Sequence, residues 1–255
     1  MGLSAGRGPL RARAAGAVEE MDLPGCDPAR LDRTYAQFAL VNRAVSGWRG
    51  IYRALIRPAL SPGSPTSLLD IGCGGGDVPV RLARWAARDG LRLEITAIDP
   101  DPRAIRFARE RNGAAGVTFR QAPASVLVDE NRSYDIVMSN HVLHHLETDG
   151  LPAFLADSAA LCRGLVLHND LRRSAAAYAL FYAGSWVLRG SYIRQDGLTS
   201  IRRSYTAREL QSVAPPGWTA ARRSPFRNLL ILDKRADKRA DKRSGGRGDN
   251  SAAGG

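Results

Sequence analysis

The 255-residue chain reads as one α/β domain built on a doubly wound, mainly parallel sheet with a C-terminal antiparallel hairpin strand and helical cover segments. Three observations predict this. Short apolar runs alternate with amphipathic stretches between residues 67 and 168. A glycine-rich turn joins the first run to the first stretch. Two closely spaced apolar runs end the folded part. Alternation at this spacing means right-handed β–α–β units.

Taken in order, residues 1–28 show no helical period and several Gly and Pro, and read as a flexible N-terminal arm. Residues 29–60 form a helical cover, with Leu31, Tyr35, Phe38, Ala39, Val41 and Val45 at mostly helical spacing and a break near Gly47. Ser61–Pro65 is a linker. The domain proper occupies residues 65–233. Ser67–Ile71 is a buried strand. Val78–Ala87 is a helix stopped at Gly90. Leu91–Ile98 is a strand ending at Asp99–Pro100, and Pro102–Arg111 a helix with Gly113 as its C-terminal cap. Val117–Arg120 and Tyr134–Ser139 are strands three and four. Leu151–Leu161 is a helix and Gly164–His168 the fifth strand. Trp218–Arg222 and Phe226–Leu232, separated by Arg223-Ser224-Pro225, form the closing hairpin. Residues 172–216 are an inserted helical cover. Residues 234–255, with Asp-Lys-Arg repeats running into a Gly/Ser tail, read as a disordered basic tail.

Composition narrows the class. Apolar residues make up 44% and charged residues 24%, the balance of a globular domain. Cys26, Cys73 and Cys162 are too few for a disulfide framework or zinc ribbon. No run reaches the roughly 18–20 apolar residues of a membrane span, and the first residues lack the apolar core of a secretory signal. A cytoplasmic, soluble protein with no membrane partner is expected. The net charge of +12 invites a nucleic-acid reading, but every basic residue before Asp233 is an arginine in an Ala- and Gly-rich chain. Nucleic acid is therefore not the expected partner.

The sharpest signal is Leu68-Leu69-Asp70-Ile71-Gly72-Cys73-Gly74-Gly75-Gly76-Asp77. Glycine there permits positive φ and close approach of a ligand to backbone, ahead of the free N–H groups of a helix start. A nicotinamide-binding fingerprint needs glycine at the sixth position, where this chain has Asp77. An acid at the helix start repels pyrophosphate and suits a ligand with a positive or amine group. Asp99 ends the second strand, where a carboxylate accepts both hydroxyls of a ribose. Its alternative reading is a turn-forming Asp before Pro100.

Together these segments resemble the class I S-adenosylmethionine-dependent methyltransferases over roughly residues 65–233, in the small-molecule branch that includes quinone and natural-product enzymes. LLDIGCGGGD looks like their first motif, ITAIDPDPRAI like the second-strand motif, YDIVMSNHVLHHL like strand four and GLVLHNDL like strand five. The resemblance implies a Rossmann-like fold and S-adenosylmethionine as cofactor. Gly72, Gly74 and Gly76 would line its methionine part, with Asp70 or Asp77 near the amino group, and Asp99 would hold the ribose. Gln121 and Ala122 would sit by the adenine, although relatives often carry an Asp there. Cys73, Pro100, Asn140 and His141 complete the expected cofactor contacts.

Methyl transfer is an in-line displacement, so the protein aligns the acceptor and removes its proton. His141 is the first candidate base and His168 the second. His144 and His145 read as capping or packing residues, and Asn169 and Asp170 as groups that orient substrate or bond the loop backbone. No carboxylate or cysteine of ligand spacing joins the histidines, so no metal is expected. Tyr35 and Phe38 on the first cover and Tyr178 and Tyr182 on the second are candidate walls for the acceptor. Two aromatic-bearing covers point to an apolar, aromatic or polyketide-like acceptor of specialised metabolism, methylated on oxygen, in a monomer or homodimer. Transfer to carbon or nitrogen is the close alternative. An RNA or protein methyltransferase, a non-catalytic cofactor-binding module and an NAD-dependent oxidoreductase are the remaining ones.

Overall fold

The computed structural model of the protein describes residues 10–112 and 116–235. Its sheet has seven strands in the order β3-β2-β1-β4-β5-β7-β6. They are β1 Thr66–Ile71, β2 Leu93–Asp99, β3 Val117–Gln121, β4 Tyr134–Asn140, β5 Cys162–Leu171, β6 Thr219–Arg223 and β7 Arg227–Asp233. The first five pair in parallel, and β7 runs antiparallel between β5 and β6. The predicted fold class holds, including the closing hairpin. Strand order reverses between β1 and β4, so crossovers leave in opposite directions and a crevice opens at the strands' carboxyl ends.

Strand alternation sorts the core onto two faces. Leu68, Ile95, Ala97, Ile136, Met138, Leu165 and Leu229 face one side. There they meet Trp48 and Ile51 of α2 (Trp48–Ile51), Val80 and Leu82 of α3 (Asp77–Arg88), and Ile105 of α4 (Pro102–Asn112). Leu69, Ile98, Val137, Val166 and Leu230 face the other. They meet Leu127 of α5 (Ala124–Asp129), Leu151 and Leu155 of α6 (Gly150–Ala160), and Leu210 of α9 (Ala207–Val213). Leu68 and Leu69 are fully buried, and each contributes about 2 kcal/mol of transfer free energy.

Around this sandwich lie α1 (Pro28–Val45), α7 (Ala175–Gly184) and α8 (Ile193–Arg203). Asp27 caps α1 by accepting from Arg30 N, with Pro28 preset in the first turn. Gly47, at φ 71, separates α1 from α2. A third small core joins Leu31 and Tyr35 to Phe107 and Tyr192.

Four features differ from the sequence reading. First, residues 10–27 are docked rather than loose. Asp196 accepts from Glu20 N and Met21 N at 2.8 and 3.0 Å, Ala14 N donates to Arg202 O, and Glu19 is buried. Polar contacts to distant residues leave no period in the sequence. Second, β4 and β5 run past their apolar cores into Asn140 and Asn169–Leu171. Asn140 pairs with Asn169, and Asp170 with Asn228 of β7, so the strands continue where hydrophobic patterning stops. Third, α5 was not anticipated, being only six residues long. Fourth, the expected tail begins inside the fold: Lys234 Nζ donates to Ala159 O and Cys162 O at 2.7 and 3.0 Å. Residues 236–255 of that tail and the expected cap Gly113 lie outside the described residues.

Candidate active site

A cavity of about 380 Å³ lies over the carboxyl ends of β1, β2 and β4. One end is built from consecutive sequence. Asp70, Gly72, Cys73, Gly74 and Asp77 line it, opposite Asp99 and Pro100. Gly72, at φ 72, has no room for a side chain: a Cβ would meet Val142 Cγ2 at 2.5 Å. Asp99 is caught by the turn, accepting from Gly74 N through Oδ2 and from Asp101 N through Oδ1, each at 2.9 Å. Each carboxylate oxygen retains a free acceptor position. Asp70 is buried with Oδ1 lacking any partner. Burial, with Asp77 and Asp99 nearby, pushes its carboxyl well above the usual range. An orphaned acid beside a glycine turn and a carboxylate with open acceptor positions fit a nucleoside that carries an amine and a cationic centre. Asp77 is held by Asn42 Nδ2 at 3.0 Å and by Arg81 at 2.6 Å. Burial nevertheless raises its carboxyl pKa.

Three of the expected cofactor residues stand off the cavity. Gly76 serves packing, at φ 77, where a Cβ would meet the Phe119 ring at 2.7 Å. Gln121 is exposed and donates to Pro100 O, and Ala122 is buried in the core with its N–H on Asp99 O. Both adjoin Asp99 without lining the cavity.

The other end gathers distant segments. His144 Nδ1 lies 2.6 Å from Asp170 Oδ1, and His144 N donates to Asp170 Oδ2 at 2.8 Å. Burial opposes the charge on Asp170, but His144, His141 and Arg227 outweigh it and hold the carboxyl far below the usual range. An ionised acceptor at Nδ1 fixes that proton, so the free position of His144 is Nε2. Glu19 Oε1 stands 3.6 Å from Nε2, beyond hydrogen-bond reach. Glu19 also accepts from Ser200 Oγ at 2.9 Å and lies 3.7 Å from Arg203 Nη1. His145 Nδ1 pairs with Asp22 at 3.1 Å. Burial works against charge on His145, but Asp22 and Glu19 raise its pKa. Arg13 laces the docked N-terminal segment to this loop, donating to His144 O, Leu146 O and Arg203 O.

Glu19, His144 and His145 bring their ligand atoms within 4.8 Å of one another, so a carboxylate does join the histidines. Sequence spacing could not show it, because Glu19 arrives from the N-terminal segment. The trio has donors that suit a divalent ion, but Arg203 already supplies a positive charge to Glu19.

The candidate bases separate. His141 lines the cavity at φ 63, with Nε2 2.5 Å from Arg227 Nη1. Burial and then Arg227 hold its pKa well below the ordinary value. His168 is fully buried on the opposite face, bonded to Ser139 Oγ at 2.8 Å and stacked on Trp218. Burial lowers its pKa to about 3. It does not line the cavity, and the expectation that it acts on substrate is corrected. Of the expected walls, Tyr35 and Phe38 line the cavity with Met21 and Leu146. Tyr178 and Tyr182 do not: α7 turns outward, and Tyr182 is half exposed beneath Arg194. The helical pattern of aromatics gave no direction. Asp170, read from the sequence as a group that orients substrate or bonds the loop backbone, does bond the loop backbone at His144 N; the residues missed are Glu19 and Arg227, which carried no local signal.

Comparison with known proteins agrees with this geometry. A family model described as a methyltransferase domain matches residues 68–164. The ubiquinone biosynthesis O-methyltransferase of Methylocella silvestris is 33% identical over 189 residues, 66% of this chain and 70% of that protein. Its counterpart from Azorhizobium caulinodans is 30% identical over 141 residues, 52% and 53% of the two chains. The chain thus spans about half the length of several curated relatives it matches. The plantazolicin methyltransferase BpumL, solved with SAH, shares the fold at a TM-score of 0.51 and 14% identity, over 80% of this chain and 95% of that one. No helix among the described residues is long and apolar enough to cross a membrane.

Proposed function

The chain belongs to the class I S-adenosylmethionine-dependent methyltransferases, and we propose that it acts on a small molecule and methylates an oxygen of a largely apolar, aromatic acceptor. The observation that carries this reading is His144, held at Nδ1 by buried Asp170 and unbonded at Nε2 beside the cavity. The cofactor supplies an electrophilic methyl group on a sulfonium. Asp99 would hold the ribose hydroxyls, Asp70 and Asp77 the amino group, and the glycine turn the methionine part, with Asn140 and His141 lining the cavity beside them.

The acceptor hydroxyl donates to His144 Nε2. Nε2 is placed to take that proton when the oxygen is methylated, and the imidazolium so formed would be stabilised by Asp170. Tyr35, Phe38, Met21 and Leu146 exclude water and favour a flat apolar body. Two of the relatives are named for O-methylation in ubiquinone biosynthesis, which supports an oxygen acceptor.

The test is a panel of phenols, enols, carboxylic acids and amines incubated with methyl-deuterated S-adenosylmethionine and read by mass spectrometry. A methyl ether formed by wild type and lost in His144→Ala is the expected result. Methyl transfer to carbon or nitrogen, or full turnover by His144→Ala, overturns the reading.

A further inference from the structure

Arg227, the first residue of β7, is 1% exposed, yet it forms no ion pair with a described carboxylate. Its guanidinium is instead spread over neutral partners. Nη1 lies 2.5 Å from His141 Nε2, Nη2 donates to Asn140 Oδ1 at 3.0 Å, and Nε to Asn169 Oδ1 at 3.4 Å. Burial lowers the Arg227 pKa to about 10, opposed by Asp170, so the group stays charged at neutral pH. A guanidinium has donors and no acceptor.

The consequence for His141 is chemical. Nε2 faces a donor and must present its lone pair. A neutral imidazole carries one N–H, which then sits on Nδ1. No described residue bonds Nδ1, that atom is not sealed in the interior, and the residue lines the cavity. We infer that Arg227 is a positioning residue that fixes His141 as a neutral imidazole with a permanent Nδ1–H donor, offered to an acceptor oxygen of the methylated substrate. His141 therefore takes no proton during turnover, against the expectation that it is the base.

The two imidazoles then have opposite duties. Their ring centroids are 6.2 Å apart. His144 accepts a proton from one substrate oxygen, and His141 donates to another: a carbonyl, an ether or a phenolate. The substrate class implied is a hydroxylated molecule with a second oxygen within one ring of the methylated one. This assignment of substrate rests on the proposed O-methylation, but the tautomer does not.

The experiment is nitrogen-15 NMR of the full chain labelled at histidine, followed from pH 5.5 to 8. His141 is assigned by its loss in His141→Gln. Expected are a pyridine-type signal at Nε2 and a pyrrole-type signal at Nδ1 that do not move across the range, although Asp170, His144, His145 and Arg227 all act on the ring. In Arg227→Met, His141 becomes a titrating tautomer mixture. The KM for the acceptor rises about 5–10-fold, as for loss of one oriented hydrogen bond. Arg227→Lys keeps a cationic donor and restores part of both. An Nε2–H tautomer in wild type, or an unchanged spectrum in Arg227→Met, overturns the inference. If Arg227→Met does not fold, the wild-type spectrum alone decides. C-methylation of the acceptor overturns the function proposed above and leaves the tautomer standing.

Discussion

The two ends of one cavity are built in opposite ways. The cofactor end comes from two strand ends and one turn, Asp70 to Asp77 and Asp99 to Asp101, tied by short backbone bonds such as Gly74 N to Asp99. The acceptor end draws Glu19, His144, Asp170, Arg203 and Arg227 from five separate segments and holds them by side-chain ion pairs and hydrogen bonds. The first needs only a turn to fold. The second exists only once β5, β7, α8 and the N-terminal segment are all in place. Binding and chemistry should therefore respond separately to mutation.

The largest expected effect falls at the acceptor end. His144→Ala lowers turnover about 10²–10⁴-fold, the range for loss of a general base, with unchanged cofactor binding in calorimetry. A matching loss of cofactor affinity would break the division between the ends. Asp99→Ala is the mirror case, weakening S-adenosylmethionine binding by about 1–3 kcal/mol with little change in acceptor KM. Gly76→Ala sharpens the comparison on stability. A side chain at φ 77 against Phe119 costs about 1–3 kcal/mol and lowers Tm, because the turn is also a packing joint.

A smaller effect lies beneath the sheet. Unfolded histidine gains its proton near its ordinary value, about 6.5, whereas folded His168 resists until about 3. Protons thus bind preferentially to the unfolded chain over that interval, and His168 makes the protein less stable as pH falls below about 6.5. His145 and Asp196, both raised in the fold, act in the opposite sense, so the clean measurement is a difference. Between pH 7 and 5, wild-type Tm should fall more than that of His168→Gln. Equal slopes would show that His168 is protonated in place. The smallest effect is Tyr182→Ser, which should leave turnover and cofactor affinity unchanged and stability within about 0.5 kcal/mol.

The same contrast explains what sequence could reveal. The glycine turn and Asp99 were legible because their function lies in spacing along one segment. The sheet was legible because Leu68 and Leu69, or Val166 and Leu167, alternate between two cores. Glu19 was not, since a lone acid in a segment without period gives no hint that Ser200 and Arg203 await it. His168 read as a candidate base and His144 as a packing residue, because only the folded loop after β4 and the pleat of β5 decide which lines the cavity and which faces Trp218. Arg227 was hidden among many arginines, distinguished only by being sealed from water.

The docked N-terminal segment has a practical corollary. Glu19, Met21, Tyr35, Phe38 and Ser200 all line the cavity, and all lie outside residues 68–164, the stretch matched as a methyltransferase domain. The wall proposed to meet the acceptor is thus detachable in the genetic sense. Exchanging the segments before the first strand and around α8 would retarget the enzyme provided Asn42 and Trp48, which hold Asp77 and Asn140, are kept, which makes those segments the natural cassettes for a chimera library.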